Sequence, residues 1–299
     1  MDNYKKLDIY KSFIKSELFC TKANIYFHVY EEVFQKFRDK EIIFVEIGVQ
    51  RGGSLLMWRD WLGPKARIIG IDLDPNAKKM EKYGFEIFIG NQASPDFWNN
   101  FFKQVGNVDI ILDDGGHTNE TQTLTTYSTI NNINDGGLIV IEDASSSYSK
   151  KFSNPQKYSF INYCKFLIDD IFVRSLEDET KKKLAKKNSL NDKMYSIKFF
   201  PDFVVFEIDR SKCFNTEYFW NKDLKDKSVN EIAKVDNYVN PRWSTDSYKG
   251  LLDKLLYYFS KIFFFLKYLP FSKYFKKKII HLKKNYYEKK IKFNFKKNF

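Results

Sequence analysis

The sequence predicts an α/β protein with a Rossmann-like, doubly wound and mainly parallel sheet. Three observations predict it. Short apolar, β-branched runs alternate with amphipathic stretches through the first two thirds of the chain, the pattern of βαβ units around a buried parallel sheet. Acidic residues stand at the ends of several of these runs, where open α/β sheets place their ligands. Two further runs flank Pro201-Asp202, a hairpin signature, so the sheet is expected to close on an antiparallel C-terminal hairpin.

Residues 1–40 read as a helical N-terminal segment, with Tyr4, Leu7, Tyr10, Phe13 and Ile14 at helical spacing. The main domain is expected over 41–210. Its first strand is Ile42–Ile47, ending in Gly48. A helix opens near Ser54, carries Leu55, Leu56, Trp58 and Trp61, and stops at Gly63-Pro64. Strands follow at Arg67–Asp72, Glu86–Ile89, Val108–Leu112 and Gly137–Ile141. Helical stretches around Pro75–Tyr83, Pro95–Val105 and Asn119–Asn131 separate them. A helix over Tyr158–Val173 and a charged segment over Glu177–Asn191 precede the hairpin strands, Met194–Phe200 and Phe203–Ile208. Residues 211–240 read as a linker and 241–299 as a basic, aromatic tail with an amphipathic helical pattern.

The 299 residues are 43% apolar and 29% charged, which excludes wholesale disorder. Three widely spaced cysteines, Cys20, Cys164 and Cys213, exclude a disulfide scaffold and any CxxC metal site. The first residues are charged where a signal peptide needs an apolar run. The longest strongly apolar stretch, Ile262–Leu266, is too short to span a bilayer as a helix. A cytoplasmic protein is expected. The net charge of +12 is unevenly placed: residues 241–299 hold 16 Lys+Arg against three acids, and the rest of the chain is close to neutral. Lysines interleaved with Leu, Tyr and Phe over 250–299 predict contact with an anionic membrane surface, peripheral at its inner face. No aromatic pattern resembles an RNA-binding sheet, which argues against nucleic acid as the partner.

Three constellations carry chemistry. In the first, Glu46-x-Gly48-x-x-x-Gly52-Gly53-Ser54 sits at the first strand-to-helix turn. Glycines there let a ligand approach the backbone, although the spacing is not the GxGxxG of a dinucleotide site. In the second, Asp72 ends the second strand, where an acidic side chain reaches ribose hydroxyls; Asp74, just before Pro75, reads as a helix cap. In the third, Asp113-Asp114-Gly-Gly-His117 and Glu142-Asp143 end two strands that are neighbours in a sheet ordered 3-2-1-4-5. Carboxylates that converge repel one another unless a cation holds them. Asp114, Glu142 and Asp143 offer an oxygen-rich shell suited to Mg²⁺ rather than Zn²⁺, with His117 beside it as a general base. His28, in an apolar helical stretch, is expected to pack rather than react.

These motifs, with Gly70-Ile-Asp72, Gly90-Asn-Gln92 and Glu142-Asp-x-x-x-Ser-Tyr148, resemble the macrocin/mycinamicin-type sugar O-methyltransferases and cephalosporin-hydroxylase-like proteins. The resemblance covers about residues 40–150. It implies a class I S-adenosylmethionine-dependent methyltransferase that uses Mg²⁺ (or Mn²⁺) to methylate a sugar hydroxyl. It further implies that Asp114, Glu142 and Asp143 hold the metal and that His117, with Asp114, is catalytic. Glu46, Gly48, Gly52, Ser54, Asp72, Gln92 and Asp113 would line the methyl donor. The implied acceptor is a nucleotide sugar, glycan precursor or glycosylated metabolite. An RNA or other small-molecule methyltransferase, or a non-catalytic basic-tailed binding protein, stands as the alternative. A short-chain dehydrogenase would need Tyr-x-x-x-Lys, and Phe152 stands four residues after Tyr148.

Overall fold

The computed structural model describes residues 3–149, 151–152, 159–176, 190–217 and 219 of the 299. The basic tail and most of the charged segment expected at Glu177–Asn191 lie outside the described residues.

Among the described residues, seven strands form one sheet: β1 (Ile43–Ile47), β2 (Arg67–Asp72), β3 (Glu86–Ile89), β4 (Val108–Asp113), β5 (Ile133–Ile141), β6 (Met194–Phe200) and β7 (Phe203–Ile208). Their order is β3-β2-β1-β4-β5-β7-β6. The first five pair in parallel, and β7 lies antiparallel between β5 and β6. The doubly wound sheet and its closing hairpin are therefore as the sequence predicts. The chain winds outward from β1 through β2 to β3, then returns to place β4 on the other side of β1. The crevice above the β1 and β4 ends is where such a sheet binds ligands.

Strand side chains alternate between two apolar layers. Phe44, Ile110 and Leu112 join one; Val45, Ile47 and Ile111 join the other. The first layer is covered by α1 (Asp8–Lys15), α2 (Tyr26–Phe34) and α3 (Gly53–Leu62). The second is covered by α4 (Pro95–Val105) and α6 (Phe160–Phe172), with α5 (Asn119–Thr129) between them. Helix starts follow local chemistry. Ser94 accepts from the Phe97 N–H ahead of α4, and Thr118 and Thr121 form a reciprocal capping box ahead of α5.

Three elements differ from the sequence reading. The N-terminal segment is not continuously helical, because residues 16–25 run in irregular backbone between α1 and α2. There the Ser16 hydroxyl donates to the Gly53 carbonyl at 2.8 Å, a tertiary contact that helical spacing does not encode. Strand β5 begins at Ile133, before the Gly136-Gly137 pair. Gly136 has φ +83°, and a Cβ on Gly137 would lie 2.5 Å from the Asp109 carbonyl oxygen, so glycine lets the strand run on through close backbone contact. Residues Pro75–Tyr83 form 3₁₀ turns rather than an α-helix, and Asp74 caps them by accepting from the Asn76 N–H, as expected of it.

Trp58 on α3 anchors the first layer. Its ring is fully buried, with centroids 4.9 Å from Tyr30, 5.4 Å from Phe34 and 5.0 Å from Phe44. Trp58→Ala is expected to cost about 3–5 kcal/mol, the scale of removing a large buried ring. The urea midpoint should fall with the slope unchanged, and a loss below about 1 kcal/mol would show that this cluster does not hold the layer.

Candidate functional site

The carboxyl ends of β1, β4 and β5 form the floor of the site. Gly48 follows β1 with φ +97°, and a Cβ there would sit 2.1 Å from the Asp114 carbonyl oxygen. Only glycine allows the two loops to pass so closely. Asp72, at the end of β2, pins the same turn: one carboxylate oxygen accepts from the Val49 and Gln50 N–H groups at 2.9 Å each. Its other oxygen accepts from the Asp74 N–H. Gly52, at φ +80°, precedes the start of α3.

Glu46 lies beneath this turn and is fully buried. It accepts from the Ser54 hydroxyl at 2.8 Å and from the Trp58 indole N–H at 3.1 Å, tying α3 to β1. Burial pushes its carboxyl up to about 7, opposed by Lys22 and the two hydrogen bonds.

The Asp-Asp-Gly-Gly-His loop is shaped from behind. The Gln92 amide donates to both Asp113 oxygens, at 2.9 and 2.8 Å, and its carbonyl oxygen accepts from the Gly116 N–H at 2.8 Å. Asp113 also accepts from Gly115, and burial raises its carboxyl. His117 then takes a left-handed backbone at φ +52°, and Asp143 does the same at φ +55°. Such conformations cost energy outside glycine and persist where neighbours over-determine them. Here the neighbours are the capping box that begins at Thr118 and the hairpin turn. Asp202 in that turn accepts from the Ala144 N–H through its carbonyl and from the Ser145 N–H through its carboxylate.

At the centre, the His117 Nε2 is 3.5 Å from the nearer Asp143 oxygen and 4.0 Å from Asp114. Asp114, His117 and Asp143 each bring one donor atom into a group whose members lie within 4.8 Å of one another. The His117 Nδ1 is buried without a hydrogen-bond partner. Glu142 is buried beside this group, and its carboxylate is gripped by two side chains from the N-terminal segment. The Lys22 ammonium donates to its two oxygens at 2.9 and 3.0 Å and to Asp114 at 2.6 Å. The Tyr30 hydroxyl donates to it at 2.6 Å. Burial works against the Lys22 ammonium, but Glu142, Tyr30, Asp114 and Glu46 outweigh it and hold its pKa well above the usual lysine value. Tyr26 stands between Asp143 and Asp202, hydrogen-bonded to both, and its phenol is raised by burial and by these bonds.

A cavity of about 240 Å³ opens at this point. Of the residues singled out in the sequence, Gly48, Ser54, Asp114, His117, Glu142 and Asp143 line it. Glu46, Asp72, Gln92 and Asp113 do not line it but hydrogen-bond to the turns and helix around it, and Gly52 faces Met80. The sequence reading missed Lys22, Tyr26, Tyr30 and Asp202. Tyr26 and Tyr30 at i, i+4 spacing did offer a signal, since that spacing puts two polar-tipped rings on one helix face. His28 corrects the expectation made for it: it is exposed on α2, with Nε2 3.1 Å from the Asn3 side chain, because its helix turns the opposite face to the core.

No family model matches the chain. Sequence relatives do. An 8-demethyl-8-alpha-L-rhamnosyl tetracenomycin-C 2'-O-methyltransferase of Streptomyces olivaceus is 29% identical over 49% of this chain and 41% of its own length. A demethylmacrocin O-methyltransferase of Streptomyces fradiae is 28% identical over 50% of this chain and 41% of its own. The resemblance read in the sequence holds. A mycinamicin VI 2''-O-methyltransferase of Micromonospora griseorubida adds 28% identity over 50% of this chain and 40% of its own. The chain thus spans about two fifths of the length of these sugar O-methyltransferases. Among solved structures, the MycE methyltransferase from the mycinamycin biosynthetic pathway, in complex with Mg and SAH, superposes with a TM-score of 0.62 at 20% identity. That match covers 76% of this chain and 59% of MycE, and shows the same fold.

The buried Glu46 generates a pH prediction. A folded-state value near 7, against an ordinary 4.5, means that the native state binds this proton more tightly than the unfolded chain. Its contribution to stability is full below about 4.5 and is lost as pH rises through 7, by about 2–3 kcal/mol between pH 5 and 8. Glu46→Gln keeps the acceptor for Trp58 and carries no charge, so the variant should gain on the wild type by that amount between pH 5 and 8 in urea titrations. Parallel pH profiles for the two chains would show that Glu46 is ionised throughout.

Proposed function

We propose that the protein is an S-adenosylmethionine-dependent O-methyltransferase that methylates a sugar hydroxyl with a divalent cation, Mg²⁺ or Mn²⁺. The observation that carries this reading is that one cavity is lined both by the glycine turn after β1 and by Asp114, His117, Glu142 and Asp143. A methyl donor seated on the turn and a hydroxyl held at the acids would then face each other. The named sugar O-methyltransferase relatives and the Mg and SAH in MycE support the same reading.

The residues present fit a divalent cation. Asp114 and Asp143 already bring oxygens within 4.8 Å of one another, beside His117, and Glu142 next to them would complete an all-oxygen set of the kind that suits Mg²⁺ or Mn²⁺. The Asp114–Glu142 pair is already bridged by one positive charge, that of Lys22. When bound, the cation would act as a Lewis acid that lowers the pKa of the acceptor hydroxyl and fixes its position. The chain's own residues do the rest. His117 takes the proton from the attacking oxygen at Nε2, and the Asp143 and Asp114 carboxylates beside it stabilise the imidazolium that results. Asp72, Gln92 and Asp113 fix the turns on which the donor rests, which keeps the sulfonium methyl and the oxygen in line. The proposed acceptor is a glycosylated metabolite, nucleotide sugar or glycan precursor.

Methyl transfer from S-adenosylmethionine to a panel of nucleotide sugars and glycosides should stop in excess chelator and return with Mg²⁺ or Mn²⁺. His117→Ala should lower turnover by about 10²–10⁴ while donor affinity by calorimetry stays within a few-fold. Undiminished transfer in chelator would remove the metal, and near-normal turnover of the variant would remove the base.

No helix among the described residues is long and apolar enough to cross a membrane. The proposal includes a peripheral site of action: the basic aromatic residues 250–299 lie on an anionic membrane surface, at its cytoplasmic face. The full chain should float with anionic liposomes and not with neutral ones, and a chain ending at Pro241 should float with neither. Equal flotation of both chains would place the membrane contact elsewhere.

A further inference from the structure

The Lys22 ammonium stands where two of the proposed metal ligands meet. It lies 2.6 Å from Asp114 and 2.9 Å from Glu142, and its side chain is only 2% exposed. A divalent cation shared by Asp114 and Glu142 cannot occupy that position together with an ammonium, for reasons of both space and charge. Lys22 is carried by residues 16–25, the irregular stretch between α1 and α2. The same stretch closes over the glycine turn. A Cβ on Gly53 would meet the carbonyl oxygens of Leu18 at 2.5 Å and Phe19 at 2.4 Å, and the Ser16 hydroxyl donates to the Gly53 carbonyl. One segment therefore supplies a cation to the acids and backbone cover to the start of α3.

We propose that Lys22 is a tethered counter-ion that holds the Asp114–Glu142 pair while the divalent cation is out, and that cation binding expels Lys22 together with its segment. The proposal rests on the metal reading above and specifies its regulation: the cation competes with a residue of the chain itself. The carboxylates stay paired in either state, so the site does not collapse or scatter when it lacks metal. The apparent metal affinity is the intrinsic affinity reduced by the fraction of chains in which Lys22 has left. Because the displaced segment also covers Gly53, cation binding uncovers the proposed donor turn as well.

The test uses Mn²⁺ alone as the probe, on the full chain. Free Mn²⁺ measured by electron paramagnetic resonance gives the dissociation constants of wild type and Lys22→Met, and the variant should bind about tenfold tighter or more, since it lacks the competitor. In parallel, the wild-type chain is labelled with N-ethylmaleimide with and without saturating Mn²⁺, and the sites are read by peptide mass spectrometry. Cys20, half-buried on the same segment, should label several-fold faster with Mn²⁺, while the buried Cys164 should not change. If Lys22→Met does not fold, Lys22→Gln replaces it, and the Cys20 measurement on the wild type stands by itself. Equal Mn²⁺ affinity in the two chains, or Cys20 labelling that does not respond to Mn²⁺, overturns this proposal and leaves the metal reading in place. No Mn²⁺ binding by either chain at millimolar concentration overturns the metal reading, and this proposal with it.

Discussion

Carboxylates set side by side away from water repel one another, and each must find a cation, a donor or a proton. The carboxyl edge of this sheet is built around that requirement. Asp114 and Glu142 share the Lys22 ammonium, Glu142 adds the Tyr30 hydroxyl, and Asp143 and Asp202 share the hydroxyl of Tyr26. Deeper in, Glu46 and Asp113 meet neutral donors, from Ser54 and Trp58 for one and from Gln92 for the other. Acids open to the cavity thus draw on the N-terminal segment for their donors, and acids behind it draw on the main domain. Without α2 and the stretch before it, the strand ends would lose the ammonium and the two hydroxyls that offset their negative charge.

The same edge is held to tight tolerances by backbone. The β1 and β4 loops approach until a single methyl group could not fit between Gly48 and the Asp114 carbonyl. His117 and Asp143 sit in left-handed conformations on the two loops that flank the cavity. Strain of this kind marks sites where side chains must point in a direction that relaxed backbone would not give them. The supports are local and polar: a threonine capping box after His117, and the Asp202 carbonyl and carboxylate that receive the Ala144 and Ser145 N–H groups.

Much of this was legible in the sequence, and the remainder was not for physical reasons. The strands were legible because buried parallel strands are continuous apolar runs, and the runs Ile42–Ile47 and Val108–Leu112 fall within a residue of β1 and β4. The start of β5 was hidden by Gly136-Gly137, residues that usually interrupt strands but here permit close passage beside Asp109. The break between α1 and α2 was hidden because the stretch there packs on the start of α3, with Ser16 bonded to Gly53, 37 residues along the chain. In the site, Asp114, Glu142, Asp143 and His117 stood out because strand ends are where such chemistry collects. Lys22, Tyr26, Tyr30 and Asp202 did not, since a lysine in a loop and tyrosines on a helix have ordinary roles almost everywhere else. Their partners are settled only when segments distant in sequence come together.

That distance has a consequence for how the protein is made. Tyr26 reaches Asp202 across 176 residues of chain, and Lys22 reaches Glu142 across 120. A nascent chain emerges from its N-terminus, so α1 and α2 appear long before the acids they neutralise, and those acids appear before the hairpin that fixes Asp143. Loop closure over such separations is slow and comes late. The parallel core can assemble as its strands emerge, but the carboxylate cluster is complete only once β7 has docked against β5. Among the described residues, the order of synthesis therefore favours a site that is completed late, on strands that have already emerged.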